Sequence, residues 1–209
     1  MTRRRLPPLR SALPVLALLA APAIAATLAG PSLAQAQAAM DTMFDAAIAD
    51  RPTSDSSRLV AEAFRPRLKA LSSCLPVAGT TSPTVDCIVT AQAGPEPVHR
   101  LLRFSLVQAQ WTLAGEQRNL PVPVPPVARV QVLLREQFRQ RLARSDHAQT
   151  RRELEYAAGA AEVLAVEDCE IGDEAPVIEC EVTATAGDER GQQSMAFTWV
   201  DGQWQNAAP

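Results

Sequence analysis

The chain has 209 residues and a formal net charge of -3, with charged side chains at 21% and aromatic ones at only 4%. That length accommodates one domain or two small ones. The acidic balance excludes nucleic acid as a partner, because binding it relies on Lys and Arg to neutralise phosphates.

Residues 1-38 read as a secretory leader. Arg3, Arg4, Arg5 and Arg10 precede an uncharged run from Ala12 to Ala29, and small-residue sites follow at Ala34-Gln35-Ala36 and Ala36-Gln37-Ala38. The run is mostly alanine, is interrupted by Pro14 and Pro22, and lacks a basic stop-transfer flank, which disfavours an uncleaved anchor. No cysteine follows closely enough to carry a lipid, and Pro7 and Pro8 fall where a twin-arginine signal wants other residues. The expected location is periplasmic or secreted. Loss of the four leader arginines takes the net charge from -3 to -7, and the acidic excess lies between Glu162 and Glu189.

Residues 39-118 are expected to form a first α+β unit. Met40, Phe44 and Ile48 recur every fourth position and mark one helix. A second helix is expected over Ser57 to Leu71, kinked or restarted at Pro66. A short first strand should end near Cys74. In the next strand Val85, Cys87, Val89, Ala91 and Ala93 face the helices, and Asp86, Ile88, Thr90 and Gln92 face outward. Phe104 and Leu106 belong to a third strand and Trp111 to a short last one.

Residues 119-126, Asn-Leu-Pro-Val-Pro-Val-Pro-Pro, hold four prolines and are expected to form an extended, semi-rigid linker that spaces two units. Residues 127-209 then repeat the order. Val130, Leu134, Phe138 and Leu142 form a helical stripe, with Arg135, Arg139 and Arg144 off it; Thr150 and Glu153, at capping-box spacing, mark a second helix. Ile178, Cys180, Val182, Ala184 and Ala186 alternate with Glu179, Glu181, Thr183 and Thr185. Phe197 and Trp199 follow, and Asp201-Gly202 turns into a last strand with Trp204.

The two units correspond residue by residue. At an offset of 94, Met40, Phe44 and Ile48 meet Leu134, Phe138 and Leu142; at 95, Cys74 meets Cys169; at 93, Cys87, Val89, Phe104 and Trp111 meet Cys180, Val182, Phe197 and Trp204. The fold class expected is therefore α+β, a tandem duplication of two helices followed by a three- to four-stranded antiparallel meander. In an exported chain four cysteines point to disulfides. Each unit owns two at matching points, so the pairs are Cys74 with Cys87 and Cys169 with Cys180. A four-thiolate zinc site would want closer spacing.

There is no G-x-S-x-G, P-loop, G-x-G-x-x-G or H-E-x-x-H pattern, and the two histidines, His99 and His147, do not correspond between units. Asp168, Glu170, Asp173 and Glu174 lack the ordered spacing of a calcium loop and are read as a solvated loop. No catalytic residue, cofactor or metal is assigned. The arginine-bearing helix from Arg129 to Arg152 is read as the wet side of an amphipathic helix, so no membrane contact is expected once the leader is gone.

Two helices, then a small sheet, twice over with one disulfide each, is similar in outline to secreted beta-lactamase inhibitory proteins. The single unit resembles small outer-membrane assembly lipoproteins. The aromatic-rich binding face of the inhibitors has no counterpart here. The function expected is that of an exported, non-catalytic binding, inhibitor or adaptor protein of the bacterial cell envelope, with another envelope protein as partner. An envelope structural or assembly accessory is the alternative, with a hydrolase behind both. The binding residues would be the outer sheet faces: Thr90, Gln92, Arg103 and Ser105 in one unit, and Glu181, Thr183, Thr185 and Thr198 in the other.

Overall fold

A computed structural model describes residues 29-50, 54-92, 94-115 and 117-207. The run from Ala12 falls mostly outside them, as does Ala93. The first helix, α1, spans Leu33–Ala49 and is opened by a complete capping box: the Ser32 hydroxyl accepts from Gln35 N, and the Gln35 side chain accepts from Ser32 N. It thus begins six residues before the boundary expected at residue 39. Its buried positions are Ala36, Ala39 and Met40, and at an offset of 94 these are Val130, Leu133 and Leu134, the buried positions of α3, Val127–Arg144.

The second helix, α2, spans Asp55–Ala63 and buries none of its residues. It stops short of the expected end at Leu71 because Pro66 disfavours the helical region for the residue before it. The next residues enter a strand instead, β1, Arg67–Pro76, on which Leu68 and Leu75 are buried. The first strand is therefore long rather than short. Its counterpart helix α4, Ala148–Ala160, is capped at His147 with no side-chain hydrogen bond; Thr150 lies inside the first turn, so the capping box expected there does not form.

From β1 the chain folds as a meander through β2, Thr84–Gln92, β3, Pro97–Val107, and β4, Gln110–Leu113. After α3 and α4 a second meander follows: β5, Ala161–Ile171, β6, Ile178–Ala186, β7, Glu189–Val200, and β8, Gln203–Asn206. The described residues thus form a mixed α+β structure of four helices and two four-stranded antiparallel sheets. Both disulfides are the expected ones, Cys74 with Cys87 and Cys169 with Cys180.

The two meanders share their irregularities. Register shifts fall between Leu68 and Ala70 and between Val163 and Ala165, then between Ser72 and Leu75 and between Glu167 and Glu170. At the second shift Ser73 and Asp168 both take φ 47°, and the cysteine that follows each bonds to the neighbouring strand. The last hairpins turn on two residues at positive φ, Gln108-Ala109 at 48° and 63°, and Asp201-Gly202 at 51° and 77°. This is the twist that a two-residue hairpin requires.

A glutamine ties each first helix to its first strand. Gln131 Nε2 donates to Ala161 O at 2.7 Å while its Oε1 accepts from Val163 N, also at 2.7 Å. Gln37 does the same in the first half, donating to Pro66 O at 3.2 Å and accepting from Leu68 N at 2.7 Å. The strand end so held has no outer neighbour in its own sheet, and the glutamine satisfies groups a lost ladder bond would leave open.

The core divides unequally. Ala36, Ala39 and Met40 pack with Val85, Cys87, Val89 and Phe104 on one face of the first sheet. The opposite face contributes Leu75, Ile88 and Leu101 to the larger cluster built by α3 and the second sheet. Ile88, expected to face outward, is fully buried because the second half covers it. The proline-rich linker is not a spacer either: Leu120 and Val122 pack on the same cluster and Pro125 is fully buried. Polar bonds cross the seam, with Trp199 N donating to Ser73 Oγ at 3.0 Å and Ser72 Oγ donating to Pro176 O at 3.3 Å.

Gln131→Ala should lower stability by about 1 kcal/mol, since Val163 N loses its partner while Ala161 O keeps its two bonds from Arg135; thermal melting against the parent checks this. Ala109→Gly should raise stability by about 1 kcal/mol by relieving a left-handed backbone that disfavours a Cβ, whereas Gly202→Ala should lower it, both read in the same melts.

Candidate functional site

On the second face of the first sheet the polar side chains are already engaged with one another. Asp86, at 4% exposure, receives a two-pronged ion pair from Arg103 on the adjacent strand, Nε to Oδ1 and Nη2 to Oδ2, each 2.7 Å. The hydrogen bond to that carboxylate holds the Arg103 guanidinium above its ordinary pKa, against the opposing effect of burial. Thr84 Oγ1 and Ser105 Oγ are 2.8 Å apart, and Thr90 Oγ1 lies 3.0 Å from His99 Nδ1. Gln117 clasps the strand from outside, accepting from Arg103 N at 2.9 Å and donating to Arg103 O at 3.2 Å. Of the four residues expected to bind in this half, Thr90, Arg103 and Ser105 are therefore tied into internal pairs, on a face whose centre the second half covers. Gln92, at the end of β2, is half-buried.

The corresponding face of the second sheet is open. Register places Glu179, Glu181, Thr183 and Thr185 of β6 on it, with Ser194 and Gln192 of β7 opposite Glu181 and Thr183. Thr198, paired with Gln205, continues the same face. All four residues expected to bind in this half are thus brought together, each half-exposed. Beside them β5 adds a feature that residue spacing did not reveal. Glu167 stands directly opposite Glu181, and Glu170 directly opposite Glu179. Glu170 and Asp168, read from the sequence as part of a loop, lie within β5; only Asp173 and Glu174 remain in the exposed connection to β6.

Cross-strand like charges destabilise a sheet, and among the described residues no ion pair joins these glutamates to a cation. Two arginines of α3 have other employment. Arg135 donates from Nε and Nη2 to Ala161 O at 3.1 and 2.9 Å, and Arg129 donates to Trp204 O, so both tie α3 to its sheet.

A recess lies on the helix side of the same sheet, a cleft of about 240 Å³ bounded by Leu134, Phe138, Val182, Ala184 and the hairpin residues Glu189 and Arg190. In the first half the phenylalanine at the matching position, Phe44, is covered instead. The Arg65 guanidinium sits 4.6 Å from its ring centroid and is held by Asp45, Glu62 and Asp41. Hydrogen bonds, first that to Asp45 and then that to Glu62, hold the Arg65 pKa above its ordinary value. At an offset of 94, Asp41 and Asp45 become Arg135 and Arg139, and Arg65 becomes Gly159, so that cover cannot form over Phe138.

His99 on β3 and His147 at the start of α4 stand on separate elements. No group of three or more metal-binding side chains occurs among the described residues, and no helix of them is long and apolar enough to cross a membrane. The two disulfides fit an oxidising compartment outside the cytoplasm. Set beside known proteins, the chain matches no family model, no curated protein and no solved structure. The likeness to the inhibitory proteins and assembly lipoproteins drawn above therefore rests on element order alone.

Asp86→Ala should leave a half-buried Arg103 charge without its partner and lower stability by about 2 kcal/mol, less than the roughly 3 to 5 of a fully buried pair because Arg103 keeps some contact with water. Equilibrium urea unfolding checks it. Arg103→Lys, which keeps the charge and loses the two-pronged geometry, should recover only part of the loss seen in Arg103→Ala.

Proposed function

We propose that this chain is an exported, non-catalytic binding protein of the bacterial cell envelope, and that its two halves are copies of one unit that have since diverged in role. The first copy has become the support: its second sheet face, with Ile88 and Leu101, packs on the second half. The second copy keeps the open face, with Glu179, Glu181, Thr183, Thr185 and Thr198. Copying is supported by more than shared element order. The glutamine clamps, the register shifts, the left-handed residues before the first cysteine of each half and the hairpin turns all recur at offsets of 93 to 95.

The observation that carries the binding reading is the two pairs of facing glutamates, Glu167 with Glu181 and Glu170 with Glu179. A sheet face serving only solubility would gain stability by alternating charge sign. Four carboxylates without an internal cation instead present a negative strip that a basic protein surface would neutralise, with the threonines as short hydrogen-bonding groups at its side. Such a partner would be steered by charge and its association weakened by salt. An exported location gives such a partner access, and the disulfides suit the same compartment.

The test uses the full chain as bait in envelope extracts at low salt. One stoichiometric basic partner should be recovered, and Glu181→Gln combined with Glu179→Gln should abolish its recovery while raising the bait's own stability by about 0.2 to 1 kcal/mol per relieved pair. Undiminished recovery by the double variant would remove this face from consideration, and failure to recover any partner would count against the binding reading as a whole.

A further inference from the structure

We infer that processing of the exported chain occurs upstream of Gly30, so that the mature protein retains Ser32, Ala36 and Gln37. The small-residue sites ending at Ala36 and Ala38 are structural sequence, not recognition sequence for the signal peptidase. This rests on the export reading, which supplies the protease, but it is carried by the packing of residues 30-40.

Four observations converge. Ser32 and Gln35 complete a capping box, and cutting after Ala36 or Ala38 removes both. Ala36 has no solvent exposure; it lies in the core against which Val85, Cys87 and Phe104 pack. Gln37 joins α1 to β1 through Pro66 O and Leu68 N, and Leu68 is itself buried. Finally, Gly30 rests against the first disulfide so closely that a Cβ there would come within 2.8 Å of Cys74 Sγ and 2.9 Å of Cys74 Cβ. Only glycine tolerates that approach.

The second half supplies the internal control. Gln131 makes the same two bonds as Gln37, and Val130 occupies the place of Ala36, at a point of the chain that no leader peptidase removes. If Gln37 were discarded, one half would keep its clamp and the other would lose the equivalent bonds. The sequence upstream offers a better-placed alternative. Ala23-Ile24-Ala25 is a small-x-small site, and it leaves an apolar stretch from Ala12 to Pro22, within the roughly 7 to 15 residues usual for such leaders. Since the leader's charges are Arg3, Arg4, Arg5 and Arg10, the mature net charge of -7 is the same for either cut.

The full-length chain, expressed with its own leader in an export-competent bacterium, is recovered from the periplasm and its amino-terminal peptide is weighed. The inference expects a first residue at or before Gly30. A first residue at Gln37 or Ala39 would overturn it while leaving the export reading intact. A chain still carrying Met1, held in the cytoplasm, would sink both. Independently, Gln37→Ala in the full chain should lower the melting temperature of the exported protein by about 5 °C, since both Pro66 O and Leu68 N lose their partner. No shift would show that Gln37 plays no part in the mature fold.

Discussion

The structure depends on a single small contact made twice, in which a glutamine on the first helix bonds the backbone of the strand beneath it. A helix laid on a sheet by apolar contact alone can slide, because the hydrophobic effect is non-directional. Gln37 and Gln131 remove that freedom, since each grips an N–H and a C=O two residues apart on an edge strand. With the helix so registered, Ala36, Ala39 and Met40, or Val130, Leu133 and Leu134, meet the strand residues they are sized to cover. The clamp also occupies polar groups at the outermost strand, the position where a sheet is most exposed to unwanted pairing.

The two halves differ in what covers their sheets. The first sheet lies between α1 and the second half, so β2 reads as an almost unbroken buried strand, including Ile88 at no exposure and Asp86 at 4%. Burying Asp86 demands a partner, and Arg103 supplies it with two hydrogen bonds from one planar group. The second sheet keeps one face in water, and its strand β6 alternates accordingly. The difference between a sheet covered on both faces and one with a wet face is therefore visible in burial pattern alone, within two meanders of the same order.

Much of this was legible in the residues themselves. The strands after each first cysteine stand out because period-two alternation is unambiguous there, and matching cysteines at offsets of 95 and 93 specify the pairing of sulfurs. What escaped has identifiable causes. The stretch from Arg67 to Leu71 has apolar residues three apart, which fits a helix as well as a strand, and only the restriction that Pro66 places on Arg65 separates the two. Ile88 was a lone apolar residue among polar neighbours, and periodicity assigns such a residue to water unless a second covering element is known. The linker's Leu120 and Val122 carried the same message, since a true spacer has no need of buried apolar side chains. Gln37 was concealed because a leader-like composition masks a polar residue whose only signature is its match to Gln131. The facing glutamates required strand register across a bulge, which residue spacing does not supply.

The acidic face sharpens the distinction between what folds a protein and what employs it. Four other polar groupings among the described residues are internally closed: Asp86 with Arg103, Thr84 with Ser105, Arg65 with its three carboxylates, Arg135 with a strand-end carbonyl. Each such closure contributes to the folded state. Glu167, Glu170, Glu179 and Glu181 do the reverse, standing in directly opposed pairs that repel. Their repulsion is a small cost against the net stability of a stapled fold. A partner bearing Lys or Arg would convert the same arrangement into attraction, and the proposed complex would relieve the conflict within the free protein. That difference between free and bound states is the free energy a recognition surface has to offer.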